Sequence, residues 1–200
     1  IIANLDLIEG PESLVEKVGD SSFTVSHSSF WQSHKLAPTV LTDSVMEYAE
    51  LKIGDQVLDL YGGVGLFTAA ALAAVGSTGR VDLVEASSSA IGDAKNNFAN
   101  KGNVNIYLGD VSKIMPRIGT AEVVILDPPR DGAGQLVLQQ IAELKPRRIV
   151  YVACDPAALA RDTAYLETSG YALSEIRAFD LFPMTQHIES VALFKPFKVS

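Results

Sequence analysis

Hydrophobic positions from residue 55 onward follow two alternating patterns. Short apolar, β-branched runs have the length of β-strands, and longer segments with helical spacing, closed by Gly or Pro, separate most of them. The predicted strands are 56–60, 81–85, 104–108, 122–127, 147–153, 171–179 and 189–195. The predicted helices are 65–76, 87–102, 133–146 and 157–170. This alternation predicts a doubly wound α/β sheet whose first five strands, being almost wholly apolar, are parallel and covered on both faces.

The end of the chain departs from this alternation. The sixth and seventh predicted strands are joined only by "DLFPMTQHI" (180–188), which is too short for a helical crossover, so they should pair antiparallel. Five parallel strands followed by an antiparallel pair resemble the sheet of class I S-adenosylmethionine (SAM) methyltransferases. The resemblance implies a Rossmann-like seven-stranded sheet with its last strand antiparallel and inserted between strands five and six.

The first 54 residues are less regular. Residues 23–33 have the pattern of a strand that runs into a loop, and residues 37–51 have that of a helix. We assign residues 1–29 to a preceding segment or linker and residues 30–200 to a SAM-dependent methyltransferase catalytic domain. The first ten residues lack the pattern of a signal peptide.

Composition narrows the class of protein. No apolar run reaches the roughly 18–20 residues needed to cross a bilayer, and a single cysteine excludes a disulfide framework or a cysteine-based metal site within this chain. We therefore expect a cytoplasmic protein without a metal. The net charge of −8 disfavours a stand-alone nucleic-acid binder, so any grip on RNA must come from a local basic patch or from another domain.

A glycine-rich turn follows the first predicted strand, in "VLDLYGGVGLFTAAAL". Gly63 and Gly65 allow a ligand to approach the backbone, as they also would in a dinucleotide site. Thr68 occupies the third glycine position of the dinucleotide pattern G-x-G-x-x-G. Asp59 instead gives D-x-x-x-G-x-G, which resembles SAM sites, where this carboxylate accepts from loop amides or from the amino-acid end of the ligand.

Two acids follow the next two strands. Glu85 can accept hydrogen bonds from both ribose hydroxyls of a nucleotide, although a solvated acid at a strand end is the alternative. Asp110 lies where such folds hold the adenine edge, and it fits a helix cap equally well. Together with Asp59, these positions favour SAM over a dinucleotide.

Five motifs carry a more specific resemblance. They are "FWQS" (30–33), "DLYGGVG" (59–65), "DPPR" (127–130), "CDP" (154–156) and "HIES" (187–190). Their order and spacing, over roughly residues 23–196, resemble the RNA uracil-C5 methyltransferases, which make 5-methyluridine in tRNA and ribosomal RNA. The resemblance implies SAM as the cofactor and structured RNA as the substrate.

The chemistry of that reaction explains the residue types. Uracil C5 is a poor nucleophile toward a sulfonium methyl group, but a thiolate that adds to C6 makes the ring an enolate whose C5 can attack. A base must then remove the C5 proton so that the sulfur is eliminated. One cysteine, one carboxylate and a methyl donor are the minimum set.

Cys154 fits the role of the nucleophile. It ends the fifth predicted strand, with Asp155 as the predicted N-cap of the next helix and Pro156 as its first residue. The helix N-terminus favours the thiolate, whereas the adjacent carboxylate of Asp155 opposes it. An inert buried cysteine is the alternative.

Glu189 fits the role of the base. It starts the seventh predicted strand, which should run beside the fifth and place this carboxylate near Cys154 at the carboxyl edge of the sheet. Partly apolar surroundings should raise the pKa of Glu189, which suits a group that removes a carbon-bound proton. A surface acid at a strand end is the alternative.

The family resemblance assigns further roles. Asp127 reaches the target pyrimidine and lies beside SAM, Gln32 contacts SAM, and Tyr61 lies beside it. Arg130 either binds a phosphate or pairs with an acid, and His187 orients Glu189, touches RNA or is structural. Phe30 and Trp31 can be read simply as core residues.

Missing parts and rival classes complete the picture. Family members usually carry an N-terminal RNA-binding β-barrel, and some an iron–sulfur cluster, so this chain reads as a catalytic half. RNA cytosine-C5 methyltransferases would show a second cysteine, and N-methyltransferases an aromatic residue in place of Arg130. A non-catalytic SAM-binding module is a further rival class, and an NAD-dependent oxidoreductase is the least favoured one.

Overall fold

The computed structural model describes residues 2–3, 6–7, 9–182, 184–185 and 187–197. Four members of the predicted leading segment (1, 4, 5 and 8), two of the predicted strand-connecting loop (183 and 186) and residues 198–200 lie outside the described residues. No helix within the described ranges combines the length and the apolar character that a membrane crossing requires.

Four short strands precede the main sheet and form two antiparallel hairpins. They are β1 (Ile2–Ala3), β2 (Asp6–Leu7), β3 (Ser13–Val18) and β4 (Ser21–Ser26). The first two pair with each other, as do β3 and β4. Gly19, with φ of 56°, lies in the two-residue turn between β3 and β4, where a positive φ favours glycine.

Seven strands form the central sheet in the order β10-β11-β9-β8-β5-β6-β7. They are β5 (Gln56–Leu60), β6 (Arg80–Glu85), β7 (Val104–Leu108), β8 (Val123–Leu126), β9 (Arg148–Ala153), β10 (Tyr171–Phe179) and β11 (Glu189–Pro196). The first five are parallel, and β11 runs antiparallel to both of its neighbours. The predicted fold is confirmed, including the insertion of the seventh strand between the fifth and the sixth.

Helices cover both faces of this sheet. They are α1 (Ala37–Ala49), α2 (Leu66–Val75), α3 (Ser88–Asn97), α4 (Val111–Ile114), α5 (Gly134–Glu143) and α6 (Pro156–Thr168). Because successive strand residues point to opposite faces, Val57 packs in a core with α1, α2 and α3, whereas Leu58 packs in a second core with α4, α5 and α6. Full burial of each such aliphatic side chain contributes roughly 1.5–3 kcal/mol to the free energy of unfolding.

The β3–β4 hairpin is fastened to α3. Asp93 accepts hydrogen bonds from the backbone amide and the hydroxyl of Ser26, at 2.8 and 2.6 Å, and from the hydroxyl of Ser29 at 2.6 Å. Phe23 and Val25 enter the α1–α3 core. These contacts fix the chain that continues into the "FWQS" segment, and the proposed domain boundary at residue 30 stays a prediction.

Candidate active site

Five side chains singled out from the sequence lie at one edge and on one face of the sheet. They are Glu189 of β11, Cys154 after β9, Asp127 after β8, Asp59 of β5 and Glu85 of β6. Along their strands they are in phase with members of the α1–α3 core: Val191, Val152, Ile125, Val57 and Leu83. Because these five strands are adjacent, the four carboxylates and the thiol form one row, which we call the acid row.

The register of β9 and β11 brings Cys154 and Glu189 together. Ser190 pairs with Ala153, and one further step along this antiparallel pair places Glu189 opposite Cys154. Cβ atoms of directly opposite residues are about 4.5–5.5 Å apart and point to the same face. Cys154 is half-buried, and Glu189 is buried at 5% exposure.

The electrostatics of this pair agree with its geometry. Burial raises the pKa of Glu189, as its partly apolar position predicted. Burial also raises the pKa of the Cys154 thiol, and the charges of Glu189 and Asp127 raise it further, against a lowering effect of Arg130. Burial first, and then the neighbouring carboxylates, therefore oppose formation of the thiolate despite its place at a helix start.

The helix start itself is built as predicted. Asp155 is the N-cap of α6, and its Oδ1 accepts a hydrogen bond from the amide of Ala158 at 2.8 Å, with Pro156 at the first helical position. The Asp155 carboxylate is thus engaged with the helix backbone. Its role is to fix the turn that carries Cys154.

Asp127 lies at the middle of the acid row. Its backbone amide donates to the carbonyl of Leu60 at 3.2 Å, which continues the β5–β8 pairing by one residue. Burial, followed by the charges of Glu189, Asp59 and Glu85, raises the pKa of Asp127 well above its usual range. The surroundings of this carboxyl group therefore favour its protonated form.

Two glycines of the turn after β5 are required by close packing. A Cβ at Gly62 would lie 2.8 Å from Cγ of Leu83, and one at Gly65, where φ is 98°, would lie 2.2 Å from the ring of Phe98. Gly63, with φ of 54°, has open space instead. At these glycines the backbone of the turn borders a crevice directly, with no intervening side chain.

Asp59 is fully buried beneath this turn. Its Oδ2 accepts a hydrogen bond from the hydroxyl of Thr68 at 2.6 Å, whereas its Oδ1 has no partner among the described residues. Burial raises the pKa of Asp59 to about 7, against the lowering effect of the Thr68 hydrogen bond. A buried carboxylate oxygen without a donor fits a cationic or hydrogen-bond-donating ligand group.

Glu85 is held by backbone amides. Its Oε2 accepts from Gly63 at 3.0 Å and its Oε1 from Ser87 at 2.7 Å. Each carboxylate oxygen has a second lone pair, so both remain able to accept from ligand hydroxyls. The side chain therefore combines a structural contact with the predicted ribose contact.

Asp110 stands at the N-cap position of α4 and is exposed. Its carboxylate accepts a hydrogen bond from the Ser112 hydroxyl, which lowers the pKa of Asp110. Together with Tyr61, it lines a cavity beside the N-terminus of α5. This position is compatible with both the cap and the adenine contact.

The "FWQS" segment borders the glycine turn. Gln32 lines a cleft together with Tyr61, Gly63 and Asp127. Trp31 packs against Phe23, with ring centroids 5.4 Å apart. Phe30 is 69% exposed at the rim of this cleft, so its interpretation as a core residue was wrong.

Arg130 and His187 flank the acid row. Arg130 is exposed and has no ion pair within the described ranges, so no acid partner supports the pairing alternative there. The ring of His187 meets Phe182 edge-on at 6.2 Å, and its backbone amide donates to the Thr185 hydroxyl at 3.2 Å. Across the part of the chain that the structure describes, no group of three or more His, Cys, Asp or Glu side chains is arranged as a metal site.

Sequence reasoning overlooked Asp162 entirely. It is fully buried in α6 on the face shared by Leu159 and Leu166. A charged residue on the apolar stripe of an amphipathic helix was the available signal.

Two family models match the chain. The tRNA (uracil-5-)-methyltransferase model matches residues 117–196, which include Asp127, Cys154 and Glu189. The protein-L-isoaspartate(D-aspartate) O-methyltransferase model matches residues 16–122, which include the glycine turn and Glu85 but none of those three. The two matches thus cover the part of the chain with the glycine turn and the part with Cys154 and Glu189.

Known proteins align over almost the whole chain. An uncharacterized RNA methyltransferase of Streptomyces coelicolor is 44% identical over 191 residues, which cover 94% of this chain and 42% of the relative. The crystal structure of Pyrococcus abyssi tRNA (uracil-54, C5)-methyltransferase in complex with S-adenosyl-L-homocysteine matches with a TM-score of 0.78 and 30% identity, over 93% of this chain and 45% of that one. The chain thus spans less than half the length of these two relatives.

More distant structures share the fold alone. M. jannaschii TYW2 in complex with AdoMet matches with a TM-score of 0.63 at 18% identity, over 96% of this chain and 90% of that one.

The strand order, the glycine turn and the acid at the end of β6 define a class I SAM-dependent methyltransferase fold. Residues 117–196, which carry Cys154 and Glu189, match the tRNA (uracil-5-)-methyltransferase family, and almost the whole chain is similar to RNA methyltransferases.

Proposed function

We propose that this protein transfers a methyl group from SAM to C5 of a uridine in tRNA or ribosomal RNA in the cytoplasm. Cys154 is the nucleophile that adds to C6, and Glu189 is the base that removes the C5 proton. The observation that carries the proposal is the register of β9 and β11, which places this thiol and this carboxylate opposite each other at the end of the acid row.

SAM fits the crevice because it is a cation. Its sulfonium and ammonium groups are positive, and the acid row offers negative charge together with the unpartnered Oδ1 of Asp59. We assign the ammonium group to Asp59, the ribose hydroxyls to Glu85 and the adenine edge to Asp110. The remaining contacts come from Gln32, Tyr61, Gly63, Gly65 and Asp127. When bound, SAM supplies the electrophilic methyl group.

The thiolate of Cys154 is the attacking form. It forms a bond to C6, and the electron pair of the C5–C6 double bond moves toward O4 to give the enolate. After C5 has been methylated, Glu189 takes the C5 proton, the double bond re-forms and the bond from C6 to sulfur breaks. Arg130 favours the thiolate by its charge, whereas burial and Glu189 oppose it.

Asp127 can stabilise the enolate. Burial, followed by the neighbouring carboxylates, raises its pKa well above the usual range, which favours the protonated form of the carboxyl group. A protonated carboxyl next to Cys154 can donate a hydrogen bond to a pyrimidine carbonyl oxygen as negative charge develops there. This assignment adds a charge-stabilising role to the predicted contact with the pyrimidine.

Arg130 suits a phosphate of the RNA. Its guanidinium is exposed, beside Cys154, and not paired with an acid across the described ranges. Because the chain has a net charge of −8, most of the affinity for RNA must come from elsewhere in the full-length protein. We propose an N-terminal RNA-binding domain for that task.

RNA that carries 5-fluorouridine at the target position tests the reaction. Fluorine replaces the proton that Glu189 must remove, so the methylated base should stay bound to Cys154. Incubation of the full-length protein with this RNA and SAM should give a tryptic peptide of residues 149–161 with the modified nucleotide on Cys154. Uridine RNA should leave that peptide free at the end of the reaction. Mass spectrometry that finds no modified peptide would contradict the proposed function.

Asp59→Asn should separate cofactor binding from stability. Loss of the carboxylate should weaken SAM binding by about tenfold or more, because a charge-assisted hydrogen bond is lost. Its raised pKa, about 7 against an ordinary 3.8, means that the folded protein keeps a proton that the unfolded chain loses. The free energy of unfolding should therefore fall as pH rises from about 4 to about 7 in the wild type. The variant lacks this loss and should be more stable at pH 8 by on the order of 1–4 kcal/mol.

Calorimetric SAM binding and chemical denaturation at pH 5 and pH 8 measure both effects. Asp55→Asn is the matched control, because Asp55 is also buried but is paired with Arg147 at 2.6 Å. That variant should lose stability and retain SAM affinity. Unchanged SAM affinity in Asp59→Asn would remove Asp59 from the cofactor site.

A further inference from the structure

We propose that Asp162 is a positioning residue that locks the loop after β8, which carries Asp127 and Arg130, to α6, the helix that follows Cys154. The identity of the reaction here rests on the proposed function, but the coupling between the two loops is a property of the structure alone. Asp162 has no contact with the acid row in the described residues, so its effect must pass through the backbone.

The contacts of Asp162 connect three elements. Its Oδ2 accepts from the hydroxyl of Tyr151, in the middle of β9, at 2.8 Å. The same oxygen accepts from the backbone amides of Ala133 and Gly134, at 2.7 and 3.3 Å. A carboxylate on one helix therefore holds the amides at the start of the neighbouring helix α5.

Arg161 extends these Asp162 contacts, which together we call the clamp, to the exposed side of the loop. Its guanidinium donates to Oδ1 of Asp162 and to the carbonyl of Asp131, at 3.0 and 2.5 Å from Nη2. Gly132, with φ of 76°, allows the close approach: a Cβ there would lie 2.6 Å from Oδ2 of Asp162. Three of the four residues after Arg130 (Asp131, Ala133 and Gly134) are thus hydrogen-bonded to one buried acid or its neighbour.

The clamp is connected to the candidate active site at two points. Asp127 and Arg130 lie at the near end of the clamped loop, and Cys154 directly precedes the helix that carries Asp162. Arg130 is the cation that favours the Cys154 thiolate. Displacement of the loop would move Arg130 and Asp127 relative to the sulfur, whereas Asp59 lies on β5, outside the clamped loop.

Burial of a charged side chain costs free energy, so a buried carboxylate is a poor means of stabilising a fold. Asp162 is 0% exposed, and burial of a paired carboxylate is often no better for stability than an apolar side chain of similar size. The buried carboxylate of Asp162 instead holds the backbone amides and the hydroxyl that donate to it in one fixed arrangement. This reasoning favours a positional role over a purely stabilising one.

Asp162→Asn tests the proposal, with Asp82→Asn as the matched control. An amide cannot accept at both positions, so either the loop amides or Arg161 lose their partner. Asp82 lies on β6, three strands along the sheet from β9; it is 3% exposed and accepts from Arg80 and Asn105, at 3.0 and 2.7 Å. Both variants should lower the melting temperature of the full-length protein.

Only Asp162→Asn should slow the reaction. We expect kcat to fall by about 10- to 100-fold, because a small misplacement of reacting groups acts on the chemical step. KM for SAM should rise by a smaller factor, because Asp127, Ala133 and Gly134 also border the cavities assigned to the cofactor. The pH profile of Cys154 alkylation by iodoacetamide, read on the peptide 149–161, should shift to higher pH, as expected when Arg130 moves away. Asp82→Asn should change neither measurement.

The possible outcomes distinguish the positioning role of Asp162 from the uridine reaction. An alkylation profile and a kcat in Asp162→Asn that match those of Asp82→Asn would overturn the positioning role while leaving the uridine reaction intact. Failure of the fluorouridine adduct in wild-type protein would overturn the reaction, whereas the alkylation shift would still report on the clamp. If Asp162→Asn does not fold, Tyr151→Phe, which removes one donor, should give a smaller shift in the same direction, and no shift would refute the clamp.

Discussion

Cys154→Ala should abolish methyl transfer to RNA while SAM binds within about twofold of wild type. Without sulfur, no adduct forms at C6 and C5 is not activated, so the loss should be at least about a thousandfold in kcat. Cys154 lies across β8 from the turn that borders the SAM crevice, which is why the cofactor should still bind. Transfer of radiolabelled methyl groups to RNA and calorimetric binding of SAM are the two measurements.

Cys154→Ser is the control that separates chemistry from packing. It keeps the shape of the side chain and offers a hydroxyl, which is far harder to deprotonate than a thiol in these acidic surroundings. This variant should therefore be as inactive as the alanine variant and as stable as wild type. Methylation at the normal rate in either variant would show that the nucleophile lies elsewhere or is not needed.

Glu189→Gln should trap the enzyme on its RNA. The amide has the shape of the carboxylate but cannot take the C5 proton, so addition and methylation proceed and release is slowed by about 10²- to 10⁴-fold. Natural uridine RNA with SAM should then give a covalent complex that survives denaturing electrophoresis. In the wild type that complex should be short-lived. Its breakdown should slow at low pH as Glu189 becomes protonated, beginning above the usual pH range of a glutamate because burial raises its pKa.

Glu175→Gln is the matched control for this experiment. Glu175 lies on the adjacent strand β10, is exposed and is 3.7 Å from Lys195. That variant should release methylated RNA at the wild-type rate. Rapid release from Glu189→Gln would remove Glu189 from the role of the base, and Asp127 would then be the next carboxylate of the acid row to test.

The sheet could be predicted from sequence because its strands are covered on both faces. The strand β5 coincides with its predicted range, since a short, mostly apolar run between Gly54 and Gly62 leaves little freedom in where it ends. The strand β3 was missed for the opposite reason. Its residues are mostly exposed, so no alternation of apolar and polar positions marks it.

The candidate site was predictable where topology alone decides it. Parallel strands bring their carboxyl ends to one edge, and therefore Asp59, Asp127 and Cys154 had to be neighbours once the strand order was known. What topology does not decide is which charges act on which group. The burial that dominates the pKa shift of Cys154, and the contribution from a carboxylate 35 positions later in the chain, depend on the packed structure.

The clamp around Asp162 illustrates the second limit. The hydrogen-bond partners of Asp162 come from three separate stretches of the chain. Two of these partners are backbone amides, which the pattern of side chains in the sequence does not reveal. Thr68 is similar: its position replaces a glycine of the dinucleotide pattern, but its hydrogen bond to Asp59 follows only from the depth at which both are buried.

The insertion of β11 between two earlier strands also bears on how the enzyme comes into being. Strand β10 is hydrogen-bonded to the sheet only through β11 within the described part of the chain. A nascent polypeptide synthesised only as far as residue 188 therefore has Cys154 but neither Glu189 nor the strand that joins β10 to the sheet. Formation of β11 completes the sheet and brings Glu189 opposite Cys154 in one step, so under the proposed function a product that ends before β11 should be both misassembled and inactive.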